Sequence, residues 1–141
     1  MSTKQTFDDI AQNLEFLDDW EDRYRYLIEL GDALEPIAPT ERNNANKVNG
    51  CVSQVWLVSK VKKDNDHTII CYRGDSDAMI VKGLVAILVA LYSGQTAQKI
   101  FQTDAIKLFD DLGLREHLTS QRANGLVAMV KRIRGEAQAL L

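Results

Sequence analysis

Histidine and cysteine are scarce in this chain, which has two of each among its 141 residues. No pair of these side chains stands at zinc-finger spacing, so a structural zinc site is not indicated. A cysteine hydrolase would need a histidine base and an orienting third group, and neither His67 nor His117 stands in such a signature. Thiol chemistry at Cys51 or Cys71 would therefore lack a base that the sequence can identify.

Three other features are also missing. The net charge is −3, which argues against a nucleic-acid binder, since such proteins normally present a basic face. The start of the chain is polar, unlike a signal peptide, and the longest apolar region, residues 78–92, contains Lys82 and is too short to span a bilayer comfortably. The turn at Gly74 lacks the glycines and the lysine of a phosphate loop. We expect a cytoplasmic protein that binds neither nucleic acid nor membrane, with reduced cysteines.

The chain does have enough apolar residues for an ordinary core. Hydrophobic residues make up 45% and charged residues 26% of the sequence. A chain of this length can bury roughly two-thirds of its unfolded surface, so it needs no disulfide or metal to fold. We expect one domain spanning residues 1–141.

The spacing of apolar residues predicts an α+β fold. Apolar side chains at helical spacing predict helices over residues 6–17 and 20–30, the second ended by Gly31 and the two forming an antiparallel helical hairpin. Strands are expected over 52–61 and 67–73, pairing as a small antiparallel sheet to which a third short strand could add. Gly74–Asp77 would form a tight polar connection, with Ser76 or Asp77 capping the next helix.

The remaining segments are predicted to be helical. Residues 78–92 are apolar on almost every side, which predicts a helix at the centre of the fold. Gly83 in its middle suggests a close approach by another backbone. Shorter helices are expected over 96–102 and 104–112, and a last helix begins near Thr119 or Ser120 and carries Arg132 and Arg134 near its end.

A long polar loop leads into Cys51. Residues 32–50 lose the helical period and contain both prolines and several asparagines, and long loops of this kind are usually functional or disordered. Gly50 can turn the chain sharply and leave the Cys51 thiol at a loop tip. There the thiolate could attack sulfur and hold it as a persulfide. Buried packing is the alternative for Cys51, and Lys47 could either lower its pKa or be a solvated loop charge.

Three stretches resemble the SufE/CsdE sulfur-acceptor proteins of iron–sulfur cluster assembly. In order, they are Gly50-Cys51-x-Ser53-x-Val55-Trp56, then Gly74-Asp75-Ser76-Asp77-Ala78 through Gly83-Leu84, then Leu118-Thr119-x-x-Arg122-x-x-Gly125-Leu126-x-x-Met129. The resemblance covers nearly the whole chain and implies a SufE/IscU-like fold. It also implies that Cys51 is the acceptor cysteine.

The family resemblance implies partners as well. A pyridoxal-phosphate cysteine desulfurase would supply sulfur to Cys51 and be stimulated by losing it, and an iron–sulfur scaffold or another acceptor would receive it. The pyridoxal phosphate belongs to the desulfurase, so we expect no cofactor on this chain beyond a transient persulfide. The SufE or CsdE branch, the final acceptor, and a monomeric or weakly dimeric state stay open.

Six further residues are expected to bind the partner or support the loop. Gly50, Ser53 and Trp56 surround Cys51 in sequence, and Trp56 could wall a pocket around the thiol or simply pack in the core. The others are Asp75, Asp77 and Arg122. Arg122 stands in the first turn of a helix, where a cation is unfavourable, so we expect a compensating partner, either an acidic turn such as Asp75 or Asp77 or a docking surface.

Two alternative functions stay open from the sequence. One is a scaffold module that binds a metal or a cluster through Cys51. The other is a thiol hydrolase or peroxidase, which would need a base or a resolving thiol near Cys51. Cys71 lies in mid-strand, where packing is expected, although it could resolve a persulfide if it lay close to Cys51.

Overall fold

The computed structural model describes residues 5–51 and 53–141, which form an α+β fold. Its helices are α1 (Phe7–Phe16), α2 (Trp20–Asp32), α3 (Met79–Tyr92), α4 (Ala97–Gln102), α5 (Ala105–Asp111) and α6 (Ser120–Gln138). Its strands are β1 (Val55–Asp64), β2 (His67–Ser76) and β3 (Gln95–Thr96). Short 3-10 turns span Pro39–Glu41 and Arg115–His117. The predicted order of N-terminal helices, sheet and C-terminal helices is confirmed.

The first two helices begin where their capping residues predict. The Thr6 hydroxyl accepts the Asp9 N–H while the Asp9 carboxylate accepts the Thr6 N–H, which satisfies two free donors at the start of α1. The Asp19 carboxylate likewise accepts the Glu21 N–H at the start of α2. Both helices lie against α3, and α2 makes by far the more extensive contact with it.

The sequence predicted that Gly31 ends α2 in a left-handed conformation, and this prediction is wrong. Gly31 lies inside the helix and is buried, and a Cβ atom there would stand 3.0 Å from the Gly83 backbone nitrogen. The close approach predicted at Gly83 is confirmed, because a Cβ atom at that position would lie 2.3 Å from the Leu27 carbonyl oxygen. The two glycines therefore let α2 and α3 pack almost backbone to backbone.

The sheet has the order β1-β2-β3 among the described residues, with both pairings antiparallel. The predicted hairpin is confirmed, but β1 begins at Val55 rather than near residue 52, and Val52 lies outside the described residues. The predicted turn at Gly74–Asp77 is largely wrong, since β2 continues through Ser76 opposite Val55. Gly74 is needed in this strand because a Cβ atom there would stand 2.7 Å from Val85 Cγ1 on α3.

Helix α3 forms the centre of the core, as its sequence predicts. Eight of its residues are buried, and the buried ones join one hydrophobic cluster with side chains from α1, α2, β1, β2 and α6. The expectation that Ser76 or Asp77 caps α3 is wrong, since Ala78 is the capping position and no side chain caps it. Both side chains instead form hydrogen bonds with Gln54, close to Cys51 in the chain. No described helix is long and apolar enough to cross a membrane.

The C-terminal helices lie close to their predicted positions. Thr96 caps α4, Asp104 caps α5, and Thr119 caps α6 by accepting the Arg122 N–H. Gly113 follows α5 with φ of 72°. The inner face of α6 carries Leu126, Met129 and Ile133 into the core, and its neighbouring face meets the chain around Cys51.

Candidate functional site

The described chain on either side of Cys51 is a loop with a tied base, which we call the thiol loop (residues 49–51 and 53–54). The Val48 N–H donates to the Val55 carbonyl at 2.8 Å, and the Leu57 N–H donates to the Asn46 carbonyl at 2.9 Å. Gly50 has φ of 95°, a conformation that favours glycine, and it turns the chain immediately before the thiol. The expected position of Cys51 at a loop tip agrees with this geometry.

Cys51 is partly buried against α6. Its Sγ lies 3.6 Å from the Gly125 carbonyl oxygen. A Cβ atom at residue 125 would be 3.4 Å from the same sulfur, so Gly125 leaves the thiol its place on the helix surface. Burial raises the pKa of the Cys51 thiol above its ordinary value, because the thiolate is less well solvated there. In this arrangement the sulfur is a sheltered thiol rather than an activated nucleophile.

A pocket of about 210 Å³ opens beside the thiol. Its wall is formed by the thiol loop, the start of α3 and the first turns of α6. The lining residues are Cys51, Ser53, Ala78, Val81, Thr119, Gln121, Arg122 and Gly125. Trp56, Asp75 and Asp77 are not among them. A larger pocket, about 360 Å³, lies between α2, α3 and β2, and its lining does not include Cys51.

The turn after β2 holds the C-terminal end of the thiol loop. The Asp77 carboxylate accepts the Gln54 N–H at 3.0 Å, and the Asp77 N–H donates to the Gln54 carbonyl at 3.2 Å. The Ser76 hydroxyl donates to the same carbonyl at 2.8 Å and accepts the Ala78 N–H. Asp77 and Ser76 thus tie the loop to the start of α3.

Asp75 is placed differently from the sequence-based expectation. Its carboxylate is buried and pairs with Arg42, with Lys82 Nζ 3.4 Å from its other oxygen. Burial alone would raise the Asp75 pKa, but the hydrogen bond from the Ser76 N–H and the charges of Arg42 and Lys82 outweigh it and hold that pKa below its ordinary value. Asp75 therefore braces the strand end with two cations.

Arg122 lines the thiol pocket, and of the two partners expected for it the acidic turn is not found. Neither Asp75 nor Asp77 pairs with it, and within residues 5–51 and 53–141 its guanidinium makes no ion pair. Its backbone N–H is taken up by Thr119 at 3.2 Å. Arg122 thus stands beside Cys51 with its positive charge directed to no carboxylate in the described part of the chain.

Trp56 packs away from the thiol pocket. It is paired with Asp75 across the sheet and bridges to Lys47 on the other side. The Arg42 guanidinium lies 5.7 Å from the centre of its ring, within range of a cation–π interaction. Trp56 is half-buried and is found neither among the residues lining the thiol pocket nor among those packed on the core, so the described residues support neither alternative for it.

The remaining candidate groups do not meet Cys51. His117 stacks on Trp20, with ring centres 3.7 Å apart, and His67 begins β2 at the hairpin turn. Cys71 is paired with Lys60 in the middle of the hairpin, whereas the thiol loop joins β1 at its Val55 end. No three His, Cys, Asp or Glu side chains of the described residues come together as metal ligands.

Two arginines at the site were missed by sequence reasoning. Arg42 pairs with Asp75, and Arg132 donates to the carbonyls of Lys47 and Ala45 at 2.8 and 2.7 Å. The sequence could flag Arg132 only as a cation near a helix end. Its acceptors are backbone carbonyls, which every residue has, so no pairing signal exists in the sequence.

The fold and the site together define an α+β protein that carries a partly buried thiol on a loop against its last helix. The family model described as SufE: Fe-S metabolism associated domain matches residues 8–137, and the chain belongs to this family, as its motifs predicted. It is 55% identical over 133 residues to an uncharacterized SufE-like protein of Rhizobium etli, covering 94% of this chain and 90% of that protein.

Two further comparisons agree. An uncharacterized SufE-like protein of Rhizobium meliloti is 49% identical over 136 residues, covering 96% of this chain and 97% of that protein. The solution structure of a hypothetical protein from Thermus thermophilus matches with a TM-score of 0.69 and 18% identity, covering 94% of this chain and 93% of that one. At that identity the structural match bears on the fold alone, and it confirms the predicted α+β class.

Proposed function

We propose that this protein accepts sulfur from the persulfide of a cysteine desulfurase onto Cys51 and passes it to an iron–sulfur scaffold or another acceptor. Membership of a family associated with Fe-S metabolism supports a role for this protein in that metabolism. The observation that carries it is the Cys51 thiol at the tip of a tied loop, beside a pocket of about 210 Å³. A thiol in mid-strand would not reach another protein's reactive atom.

The proposed step is a thiol–disulfide-type exchange. The Cys51 thiolate attacks the outer sulfur of the desulfurase persulfide, a new sulfur–sulfur bond forms on Cys51, and the desulfurase sulfur–sulfur bond breaks. The desulfurase cysteine leaves as a thiolate and takes up the proton that Cys51 lost. Sulfur is transferred without net oxidation or reduction, so the step needs no outside oxidant. A second exchange of the same kind passes the outer sulfur to the acceptor.

The resting position of Cys51 suits a carrier that must not react with every thiol it meets. Burial raises the pKa of Cys51, so little of it is thiolate while the loop lies on Gly125. The pocket next to it has room for one additional sulfur atom. Transfer then requires the loop to move outward when the partner docks, which exposes the thiol and removes the cause of the raised pKa.

The activating chemistry belongs to the partner. Pyridoxal phosphate on the desulfurase would release sulfur from cysteine, and this chain would stimulate that enzyme by removing its persulfide. The protein is in this sense an accessory factor rather than an enzyme in its own right, acting in the cytoplasm, where thiols stay reduced. Ser53 and Arg122 line the thiol pocket and are the residues we assign to contact with the partner.

The alternative of a metal- or cluster-binding scaffold has no observation in its favour. Within the described residues, no group of three potential metal-ligating side chains is formed. Colour and metal content of the purified protein discriminate between the two functions.

The test is an intact-mass measurement without reductant, after incubation with a cysteine desulfurase of this system and cysteine. We expect the mass to increase by one sulfur atom, and dithiothreitol to remove the increase. Cys71→Ser is the matched control and should still gain the sulfur, whereas Cys51→Ser should not. No gain with a desulfurase that is active on cysteine would refute the carrier function, and a gain lost only in Cys71→Ser would move the site to Cys71.

A further inference from the structure

The chain from Lys47 to Cys51 runs along one face of α6. Cys51 Sγ lies against Gly125, and a Cβ atom at Gly50 would be 3.2 Å from Ala128 Cβ. One turn further, Arg132 reaches the Lys47 carbonyl. Helix positions 125, 128 and 132 are three and four residues apart, so they share one face. Gly50 and Cys51 and the base of the loop therefore rest on one face of the helix.

Arg132 lies at one end of this helix face. Its Nη1 donates to the Lys47 carbonyl at 2.8 Å and its Nη2 to the Ala45 carbonyl at 2.7 Å. Its Nε lies 3.8 Å from a Glu136 oxygen, and the other Glu136 oxygen accepts the Ser59 hydroxyl at 3.0 Å. The guanidinium is thus oriented from both sides, and its planar fork can bind two carbonyls at once in a way that a lysine cannot.

We propose that Arg132 is a positioning residue of the transfer step: it fixes the base of the thiol loop to α6 and thereby keeps Cys51 sheltered at Gly125. The inference rests on the proposed function only for its link to sulfur transfer, since the restraint itself is a property of the free protein. Without Arg132 the base keeps its backbone hydrogen bonds to β1 but loses its attachment to α6, so Gly50 and Cys51 are held on the helix only by their own contacts. The sheltered state then becomes less populated and the exposed state more so.

The chain provides a matched control for this residue. Arg134 lies two positions away on α6 and also places its guanidinium on a carbonyl, that of Phe101, with Nε and Nη2 at 3.0 and 2.8 Å. That carbonyl belongs to α4, not to the thiol loop. Replacing Arg134 therefore removes a similar interaction from the same helix without touching the loop.

The test measures how fast N-ethylmaleimide alkylates Cys51 in the Cys71→Ser background, with no desulfurase present. We expect Arg132→Ala to react roughly tenfold faster, the size expected when hydrogen bonds from a charged donor are lost. Arg132→Lys should fall between it and the parent, and Arg134→Ala should match the parent. Rates at several pH values separate a change in access from a change in thiolate fraction.

Two results would overturn the proposal: an unchanged rate in Arg132→Ala, or an equal increase in Arg134→Ala, which would indicate general loosening. If Arg132→Ala does not fold, Arg132→Lys decides, because an unchanged rate there also overturns it. Sulfur loading measured on the same variants separates the two proposals. Faster alkylation with no loading in any variant would refute sulfur acceptance alone, and normal loading with unchanged alkylation would refute the restraint alone.

Discussion

Replacing Gly83 with alanine should force α2 and α3 apart. The added Cβ would lie 2.3 Å from the Leu27 carbonyl oxygen and 2.7 Å from its carbon, and backbone atoms cannot rotate out of the way. Overpacking of this kind costs about 3 kcal/mol at the upper end of its usual range. The better helix propensity of alanine offsets about 1 kcal/mol of that cost. We expect the free energy of unfolding to fall by about 2 kcal/mol.

Gly135 supplies the control for that experiment. It also lies inside a helix, but a Cβ atom there has no neighbour within 4 Å, so Gly135→Ala should stabilise the protein by up to about 1 kcal/mol. Urea denaturation measures both variants, and their m values should stay equal to that of the parent. The two free energies should therefore differ by about 3 kcal/mol. A difference under about 0.5 kcal/mol would show that α2 and α3 are not in backbone contact.

Three shorter predictions concern the thiol loop and its surroundings. Asp77→Ala removes the acceptor of the Gln54 N–H, so Cys51 alkylation should be about fivefold faster, as loss of about 1 kcal/mol of hydrogen bonding implies, and an unchanged rate would exclude this tether. Because burial raises the pKa of Cys51, its alkylation should still accelerate above the ordinary thiol value of 9.0, whereas the urea-unfolded protein should level off near it; identical profiles would contradict the burial. Asp75, whose pKa is lowered in the fold, stabilises fully above its ordinary pKa of 3.8 and loses that contribution as the pH falls through its folded value. Asp75→Asn should therefore cost about 2 kcal/mol at neutral pH, and urea denaturation in acid should show the difference shrinking rather than constant.

Local signals predicted most elements but not the contacts between them. Caps such as Thr6 and Thr119 act within a few residues, so sequence order alone locates them. Gly31 and Gly74 were misassigned because the same residue type serves a turn or a close approach, and only the packing of α3 decides which. The loop-tip position of Cys51 could be predicted from Gly50 and the polar loop before it, but its contact with Gly125 joins residues 74 apart in sequence.

Arginine pairings were the least predictable part of the site. Arg122 was expected to pair with an acidic turn, yet Asp75 pairs with Arg42 and Lys82 instead. Arg122 and Arg42 carry the same positive charge, so charge alone could not show which of them pairs with Asp75. The choice depends on how the loop before Cys51 folds across β2, which no periodic pattern encodes.

Cys51 is either sheltered in the closed loop or exposed and reactive in the open loop. The hydrogen bonds that hold the loop set the populations of these two states. Each hydrogen bond that ties Gln54 to the start of α3, or Lys47 to α6, contributes about 1 kcal/mol, so a few together hold the open loop at roughly 1% of molecules or less. A partner that binds only the open loop has its apparent affinity reduced by that fraction. Under the proposed function, removing one of these hydrogen bonds should therefore strengthen apparent binding to a cysteine desulfurase and also increase loss of a Cys51 persulfide to free thiols. A sulfur carrier needs intermediate tethers for this reason, since stronger ones would block transfer and weaker ones would release sulfur to the wrong acceptor.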